Sequence, residues 1–190
     1  TFGGIHLKYD VKPDMAMFGK ALGNGYAITS VIGNDNVMDA VQKTFISSTF
    51  WTERIGPTAA LKTLEVMKDL KSWEIITKSG QDIKSNWEKL FKENNLEYFD
   101  TGIPALAGFS FKSKHNLIYK TYITQEMLKK NILAANSIYV SISHKRRYLN
   151  RYFDELNNIF STLNKCEEGI LNPHNLLEGP CCHGGFKRLN

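Results

Sequence analysis

One lysine stands where its amine could do covalent chemistry. Lys20 follows the apolar run Met15–Phe18 and a glycine, and it precedes a turn that contains Gly23 and Gly25. The run lies between Pro-Asp and Gly, which predicts a short buried strand that carries Lys20 into a site at its end. A lysine amine that loses its hydration has a lowered pKa and can attack a carbonyl to form a Schiff base. Lys20 is therefore a candidate nucleophile, with an ordinary surface lysine as the alternative.

A second segment combines hydroxyl groups with the start of a helix. Residues 48–57 are Ser-Thr-Phe-Trp-Thr-Glu-Arg-Ile-Gly-Pro, and apolar residues then recur at helical spacing as far as Leu70. Proline is favoured in the first turn of a helix, so the pattern predicts a helix that begins at Pro57. The hydroxyl of Thr52 would lie in the loop just before that helix.

Together the two segments resemble the class III, fold type I pyridoxal-phosphate enzymes, in that family's order and at about its spacing. The first resembles the run Pro-Asp…Gly-Lys…Gly-x-Gly around the lysine that binds the cofactor, which corresponds to Lys20. The second resembles the block Thr-x-x-Gly-Asn-Pro before a helix, with Thr52 as its threonine and a departure from the pattern at Ile55 and Gly56. Glutamate-1-semialdehyde aminomutases and aminotransferases of cell-surface sugar biosynthesis are the most similar, and the resemblance extends weakly to about residue 165.

The resemblance implies pyridoxal-phosphate-dependent amino group transfer between an amino donor and a carbonyl substrate. It implies that Lys20 holds the cofactor as a Schiff base and later moves a proton as general base and acid. It also implies that Thr52 contacts the phosphate of the neighbouring subunit's cofactor, in a homodimer with shared active sites. The alternative for Thr52 is a loop threonine that bonds its own backbone.

Arg54 could pair a carboxylate or phosphate of the substrate, or simply pair an acidic neighbour on the surface. His144 belongs to a Ser-x-x-His stretch similar to one in the aminomutase small domain. We leave it outside the catalytic set, because a lone histidine is more often a hydrogen-bonded structural group. The other residues near the site receive no firm role: Ser48, Thr49, Trp51 and Glu53.

The predicted fold class is α/β, as the C-terminal part of a fold type I transferase. Residues 1–72 would hold the end of the large cofactor-binding domain, residues 73–165 a small α+β domain, and residues 166–190 an irregular tail. The first domain contains predicted strands at 15–18 and 27–33 and helices at 36–43 and 57–70, and a Ser72 cap opens the next helix. The small domain contains predicted helices at 72–92, 124–131 and 146–163 and strands at 97–99, 105–111, 117–119 and 137–143.

Composition limits the other function classes. The net charge is +5, but the lysines are scattered and no nucleic-acid-binding motif accompanies them, so no nucleic-acid partner is expected. No apolar run is long enough for a membrane span. The three cysteines do not form a disulfide framework and favour a reducing, cytoplasmic setting. Cys181 and Cys182 have no second ligand pair at a usable spacing, so no metal is expected.

The chain begins directly before the lysine segment, and we expect it to be a C-terminal fragment of a longer enzyme. The acidic partner of the pyridine nitrogen, the stacking aromatic residue and the main phosphate loop would then lie upstream, and the fragment alone would be inactive. The alternative function is a non-catalytic remnant or binding module that kept the fold and lost the site.

Overall fold

A computed structural model describes residues 1–47, 49, 50 and 52–185, and it divides into two units, Thr1–Glu74 and Ile75–Asn190. The first unit contains strands β1 (Met15–Phe18) and β2 (Ser30–Gly33) and helices α1 (Asp35–Val41) and α2 (Ile55–Leu70). Helix α3, Ser72–Glu93, begins in the first unit and continues into the second. The second unit adds strands β3 (Tyr98–Thr101), β4 (Leu106–Phe111) and β5 (Ser137–Tyr139). Its further helices are α4 (Asn116–Lys129) and α5 (Arg146–Glu167). Short 3₁₀ helices occupy Ile5–Tyr9, Lys20–Leu22 and Pro173–Leu176.

In the first unit, β1 and β2 form an antiparallel pair whose register runs from Met15 opposite Gly33 to Phe18 opposite Ser30. Helix α1 follows at once. Its N-cap is Asn34, whereas the sequence pattern offers Asp35 or Asn36: the Asn34 side chain accepts the N–H of Val37 at 3.1 Å. The same side chain donates to Asp14 at 2.9 Å, which ties the start of α1 to the residue before β1.

The junction between α2 and α3 is a single residue, Lys71, whose φ of 47° lies in the left-handed region. The predicted cap at Ser72 is wrong. Its hydroxyl is buried and has no hydrogen-bond partner among the described residues, and the backbone N–H of Glu74 bonds to the carbonyl of Lys71 instead. Because the turn closes through the backbone, the serine side chain is left without a role in it.

The second unit is built on an antiparallel sheet of order β3–β4–β5. The predicted strand at 117–119 is wrong, since these residues form the first turn of α4. A run of three apolar residues fits either structure by pattern. Here the side chain of Asn116 accepts the N–H of Phe111 at 2.9 Å, which ends β4 and starts the helix beside it.

Helices α3, α4 and α5 bury one apolar stripe each against the sheet. Phe91 is at the centre of this core: its ring stacks on Tyr98 with centroids 4.0 Å apart and meets Phe109, Phe111 and Phe160 edge-on or tilted. In the same core, the indole N–H of Trp87 donates to the Tyr152 hydroxyl at 3.0 Å. No helix among the described residues has the length and apolar character needed to cross a bilayer.

The tail after α5 is irregular except for one 3₁₀ turn, but it is held along α4. The Gln125 side chain donates to the carbonyl of Leu176 at 2.9 Å and accepts the N–H of Glu178 at 2.8 Å. One turn away on each side, Lys129 pairs with Glu178 at 2.6 Å and Thr121 accepts the N–H of Cys182 at 3.0 Å. Positions four residues apart on a helix share a face, so the tail follows one stripe of α4.

Candidate active site

Lys20 stands at the point where β1 ends. Gly19 is extended, and Lys20 opens the 3₁₀ helix with a φ of 50°, a left-handed conformation that is uncommon for a residue with a side chain. Its carbonyl accepts the N–H groups of Gly23 and Asn24 at 3.1 and 3.2 Å. These bonds fix the lysine backbone at the strand end, as the sequence predicted.

The environment of the Lys20 side chain differs from the prediction. The residue is exposed, and its amine makes no hydrogen bond or ion pair among the described residues. The predicted strand is present but not buried: Met17, in β1, is 77% exposed. No element among the described residues covers this strand, so none of them removes water from the Lys20 amine.

The glycine turn after Lys20 is closed by contacts with its own backbone. Gly23 is buried, and a Cβ at that position would lie 2.0 Å from the carbonyl oxygen of Tyr26 and 2.8 Å from a methyl group of Ile28. Gly25 has a φ of 107°, and no atom would approach its Cβ within 4 Å. Gly23 thus allows the close packing of the turn, and Gly25 allows the left-handed backbone that the turn adopts.

The start of α2 packs on the same turn. Gly56 is buried, and a Cβ there would lie 2.8 Å from the carbonyl oxygen of Ala27 and 3.3 Å from the Cβ of Ile28. Ile28 therefore contacts both Gly23 and Gly56, which are 33 residues apart in the printed numbering. The two sequence segments singled out above meet at this residue. The departure from the family pattern at Gly56 is explained by this contact, since only glycine fits there.

Thr52 lies in the turn that leads into α2. It is exposed, and its hydroxyl forms no hydrogen bond among the described residues, so the alternative of a threonine that bonds its own backbone is not observed. The helix begins at Ile55, two residues before the predicted start at Pro57. Its N-terminal N–H groups, with the partial positive charge of the helix end, lie within a few residues of this hydroxyl.

Glu53 is the residue whose role the sequence analysis missed. Its carboxylate accepts the backbone N–H groups of Ile55 and Gly56, the latter at 2.9 Å, and so caps the first turn of α2. The signal was present in the sequence: a carboxylate just before a helix start satisfies free N–H groups and complements the helix dipole.

The remaining candidates have weaker support. Arg54 is exposed and pairs with no acid among the described residues, so the predicted surface ion pair is not observed. His144 accepts the N–H of Ser141 through Nδ1 at 3.0 Å, which gives it a structural role in the loop before α5. Thr49 is exposed, while Ser48 and Trp51 lie outside the described residues.

An open cavity of about 670 Å³ lies beside the lysine turn, within the first unit. Its walls are mostly apolar and include Phe18, Leu22 and Ile28, together with Gly19 and Ala21 on either side of Lys20. In the described part of the chain, no three His, Cys, Asp or Glu residues are arranged to hold a metal ion.

The family model for class III aminotransferases matches residues 2–132, which include both Lys20 and Thr52. The chain belongs to the class III aminotransferases. This is an enzyme family that works with pyridoxal phosphate, so the predicted family, cofactor and enzyme class are confirmed.

Two relatives show the range of this family. The chain is 29% identical over 156 residues to the 3-aminobutyryl-CoA aminotransferase of Cloacimonas acidaminovorans, covering 82% of this chain and 37% of that protein. It is 25% identical over 166 residues to the glutamate-1-semialdehyde 2,1-aminomutase of Methanosphaera stadtmanae, covering 78% of this chain and 39% of that protein. The chain thus spans about two fifths of the length of these relatives, as expected for a fragment.

Solved structures share the fold. The internal aldimine form of the FumI protein of Sphingopyxis sp. MTA144 superposes with a TM-score of 0.78 at 21% identity, over 90% of this chain and 42% of that one. An acetylornithine aminotransferase from Elizabethkingia anophelis gives a TM-score of 0.70 at 24% identity, over 81% and 42% of the two chains. The matched regions are C-terminal portions of transaminases, which confirms the predicted fold class.

Proposed function

We propose that this chain is the catalytic-lysine portion of a pyridoxal-phosphate-dependent enzyme that transfers an amino group. In this proposal Lys20 binds the aldehyde of the cofactor as a Schiff base, and Thr52 binds the cofactor phosphate. The observation that supports it most is the meeting of the two family segments at Ile28. Within the described part of the chain, the Lys20 amine and the Thr52 hydroxyl of these segments form no hydrogen bond.

The residues fit the cofactor by their chemistry. An aldehyde requires an amine without a competing ion pair, and Lys20 has none among the described residues. A phosphate is favoured by a hydroxyl donor beside the positive end of a helix, and Thr52 lies just before the start of α2. The first two N–H groups of that helix donate to the carboxylate of Glu53, so they are already occupied by an anion. When bound, pyridoxal phosphate supplies an electron sink for the negative charge that develops on the substrate carbon.

Lys20 has a second task in this proposal. As a free primary amine it would move a proton between the substrate carbon and the cofactor carbon, as general base and then general acid. An amine can do both, whereas a guanidinium keeps its proton throughout the accessible pH range. The left-handed backbone of Lys20, held by two hydrogen bonds to its carbonyl, keeps the origin of the side chain fixed during the transfer.

We further propose that the enzyme is a homodimer in which Thr52 serves the cofactor of the partner subunit. The exposure of Thr52 supports this, because an exposed hydroxyl can reach a group that another chain holds. Mixing Lys20→Ala and Thr52→Ala subunits tests the shared site, since one of the two sites in a mixed dimer then carries neither change. Recovered activity supports the shared site, and no recovery after proven subunit exchange contradicts it.

The substrates are an amino donor and a carbonyl compound, or a single compound that plays both parts. The relatives include an intermolecular aminotransferase and an intramolecular aminomutase, and the chemistry at Lys20 is common to both. Supplying glutamate-1-semialdehyde alone, and separately an amino donor with an aldehyde acceptor, distinguishes the two reactions. We place the enzyme in the cytoplasm, on the support of its three free thiols.

The decisive experiment is borohydride reduction of the full-length enzyme followed by peptide mass spectrometry. We expect the reduced cofactor on the peptide that contains Lys20. Lys20→Ala should abolish turnover without unfolding the protein, and Lys12→Ala, at an exposed lysine just before β1, is the matched control. Cofactor on another lysine would overturn the assignment of Lys20, and cofactor on no lysine would support the remnant or binding-module alternative.

A further inference from the structure

We infer that Glu53 is a built-in competitor of the cofactor phosphate and weakens cofactor binding at the site that Thr52 serves. The inference rests on the proposed function, because it needs a phosphate beside Thr52. It starts from two contacts: the Glu53 carboxylate accepts the N–H of Ile55 through one oxygen and the N–H of Gly56, at 2.9 Å, through the other.

These two N–H groups are the first donors of α2, a helix of 16 residues. Both belong to the helix end that carries partial positive charge, and neither has an intrahelical partner. An anion placed beside Thr52 would therefore be attracted to the same donors. In this chain they are taken by a carboxylate that is covalently attached one residue away from Thr52.

Among the described residues, the carboxylate of Glu53 forms no ion pair with Arg54 or with any other cation. A phosphate dianion at Thr52 would therefore meet both a shortage of free N–H donors and a like charge. Each effect lowers the affinity for phosphate, and neither affects the covalent link at Lys20.

The consequence is a lower affinity for the cofactor than the same site would have without the Glu53 carboxylate. A carboxylate at a helix N-terminus interacts favourably with the partial positive charge there, so its removal leaves that charge to another anion. Removing the competing carboxylate should thus tighten cofactor binding by about two- to tenfold. The effect should be largest for cofactor forms that have no bond to Lys20, since phosphate contacts then dominate their affinity.

The test uses the full-length enzyme without cofactor and titrates it with pyridoxamine phosphate, which has no aldehyde to react with Lys20. Binding is measured by calorimetry for the parent enzyme and for Glu53→Gln, which removes the charge at constant shape. Glu65→Gln is the matched control: it makes the same charge change on the exposed face of α2, where Glu65 pairs with Lys62 at 2.6 Å. Glu53→Ser adds a neutral residue that still caps a helix, in case the glutamine variant loosens the turn.

We expect Glu53→Gln and Glu53→Ser to bind pyridoxamine phosphate about two to ten times more tightly, with Glu65→Gln unchanged. Equal or weaker binding by both Glu53 variants would overturn the inference and make Glu53 a cap that supports the phosphate site. This failure is separate from that of the proposed function, which depends on whether borohydride fixes the cofactor to Lys20. If it does and the affinities do not change, only the role of Glu53 is wrong.

Discussion

The two units of this chain use their apolar residues in opposite ways. In Ile75–Asn190 the largest rings are fully covered, with Trp87, Phe91 and Phe109 each 1% exposed. In Thr1–Glu74 the strands and the long helix leave theirs uncovered, with Met17 77% and Leu61 70% exposed. Among the described hydrophobic residues of the first unit, Ala60 alone is buried.

This difference shows that the candidate active site lies in the unit that stabilises itself least. Its geometry depends on backbone hydrogen bonds around Lys20 and on two glycine contacts with Ile28, not on a core. Burial of apolar area is the main source of folding free energy, so the second unit carries most of the stability of this chain. The backbone hydrogen bonds at Lys20 are thus the main constraint that the described residues place on its position.

The largest expected consequence is a contrast in hydrogen exchange within the 190-residue chain. Amides of α3, α4 and α5 should exchange only on global unfolding, at least about a thousandfold more slowly than those of β1 and β2. The physical reason is that opening the second unit exposes its core, whereas opening the first exposes little that is buried now. Exchange measured by mass spectrometry on peptic fragments gives both values at once. Similar protection in the two units would contradict the comparison.

A pair of truncations should differ strongly in stability. Phe91→Ala leaves a cavity among four aromatic neighbours and should lower the free energy of unfolding by about 3–5 kcal/mol. Met17→Ala is the control in β1 and should change it by less than about 0.5 kcal/mol, because that side chain is already exposed. Urea denaturation followed by circular dichroism measures both. A large loss of unfolding free energy in Met17→Ala would mean that the Met17 side chain is covered in solution and would contradict the comparison.

The second unit should also be sensitive to alkali. Burial raises the pKa of Tyr152 above its ordinary value of 10.0, and burial with a hydrogen bond to Glu167 raises that of Tyr119 in the same core. The folded state then keeps these phenolic protons longer than the unfolded chain does, so stability is complete below pH 10 and falls above it, by at most about 1.4 kcal/mol per pH unit for each group. Denaturant midpoints measured from pH 8 to 11 should show this fall, and Tyr152→Phe should make it less steep. A slope unchanged in Tyr152→Phe would assign the effect to other groups.

The smallest effect concerns Ser72 at the start of α3. Its buried hydroxyl has no partner among the described residues, so Ser72→Ala should stabilise the chain by about 1 kcal/mol. Ser85→Ala, at an exposed position of the same helix, measures the helix-propensity gain that both changes share. Thermal unfolding should therefore show a larger gain at Ser72 than at Ser85. A loss at Ser72 would indicate a hydrogen bond to a group beyond the described residues.

The sequence by itself determined the elements whose signals are local and strong. The apolar run Met15–Phe18, the proline-led helix ending at Leu70 and the amphipathic stripe of α5 all form where the pattern places them, to within a few residues. The segments around Lys20 and Thr52 likewise resemble the family whose model matches residues 2–132. Periodicity and turn chemistry depend on neighbours in the chain, so the sequence suffices to predict them.

Only the tertiary structure decided how these elements meet. Residues 117–119 form a helix because Asn116 ends β4 and starts α4, which an ambiguous apolar run could not reveal. The packing of Gly23 and Gly56 on Ile28 depends on residues far apart in sequence. So does the exposure of β1, the strand before Lys20, which the sequence predicted to be buried. Burial is a property of what covers a residue, and the two helix-start donors held by Glu53 became visible only with the turn folded.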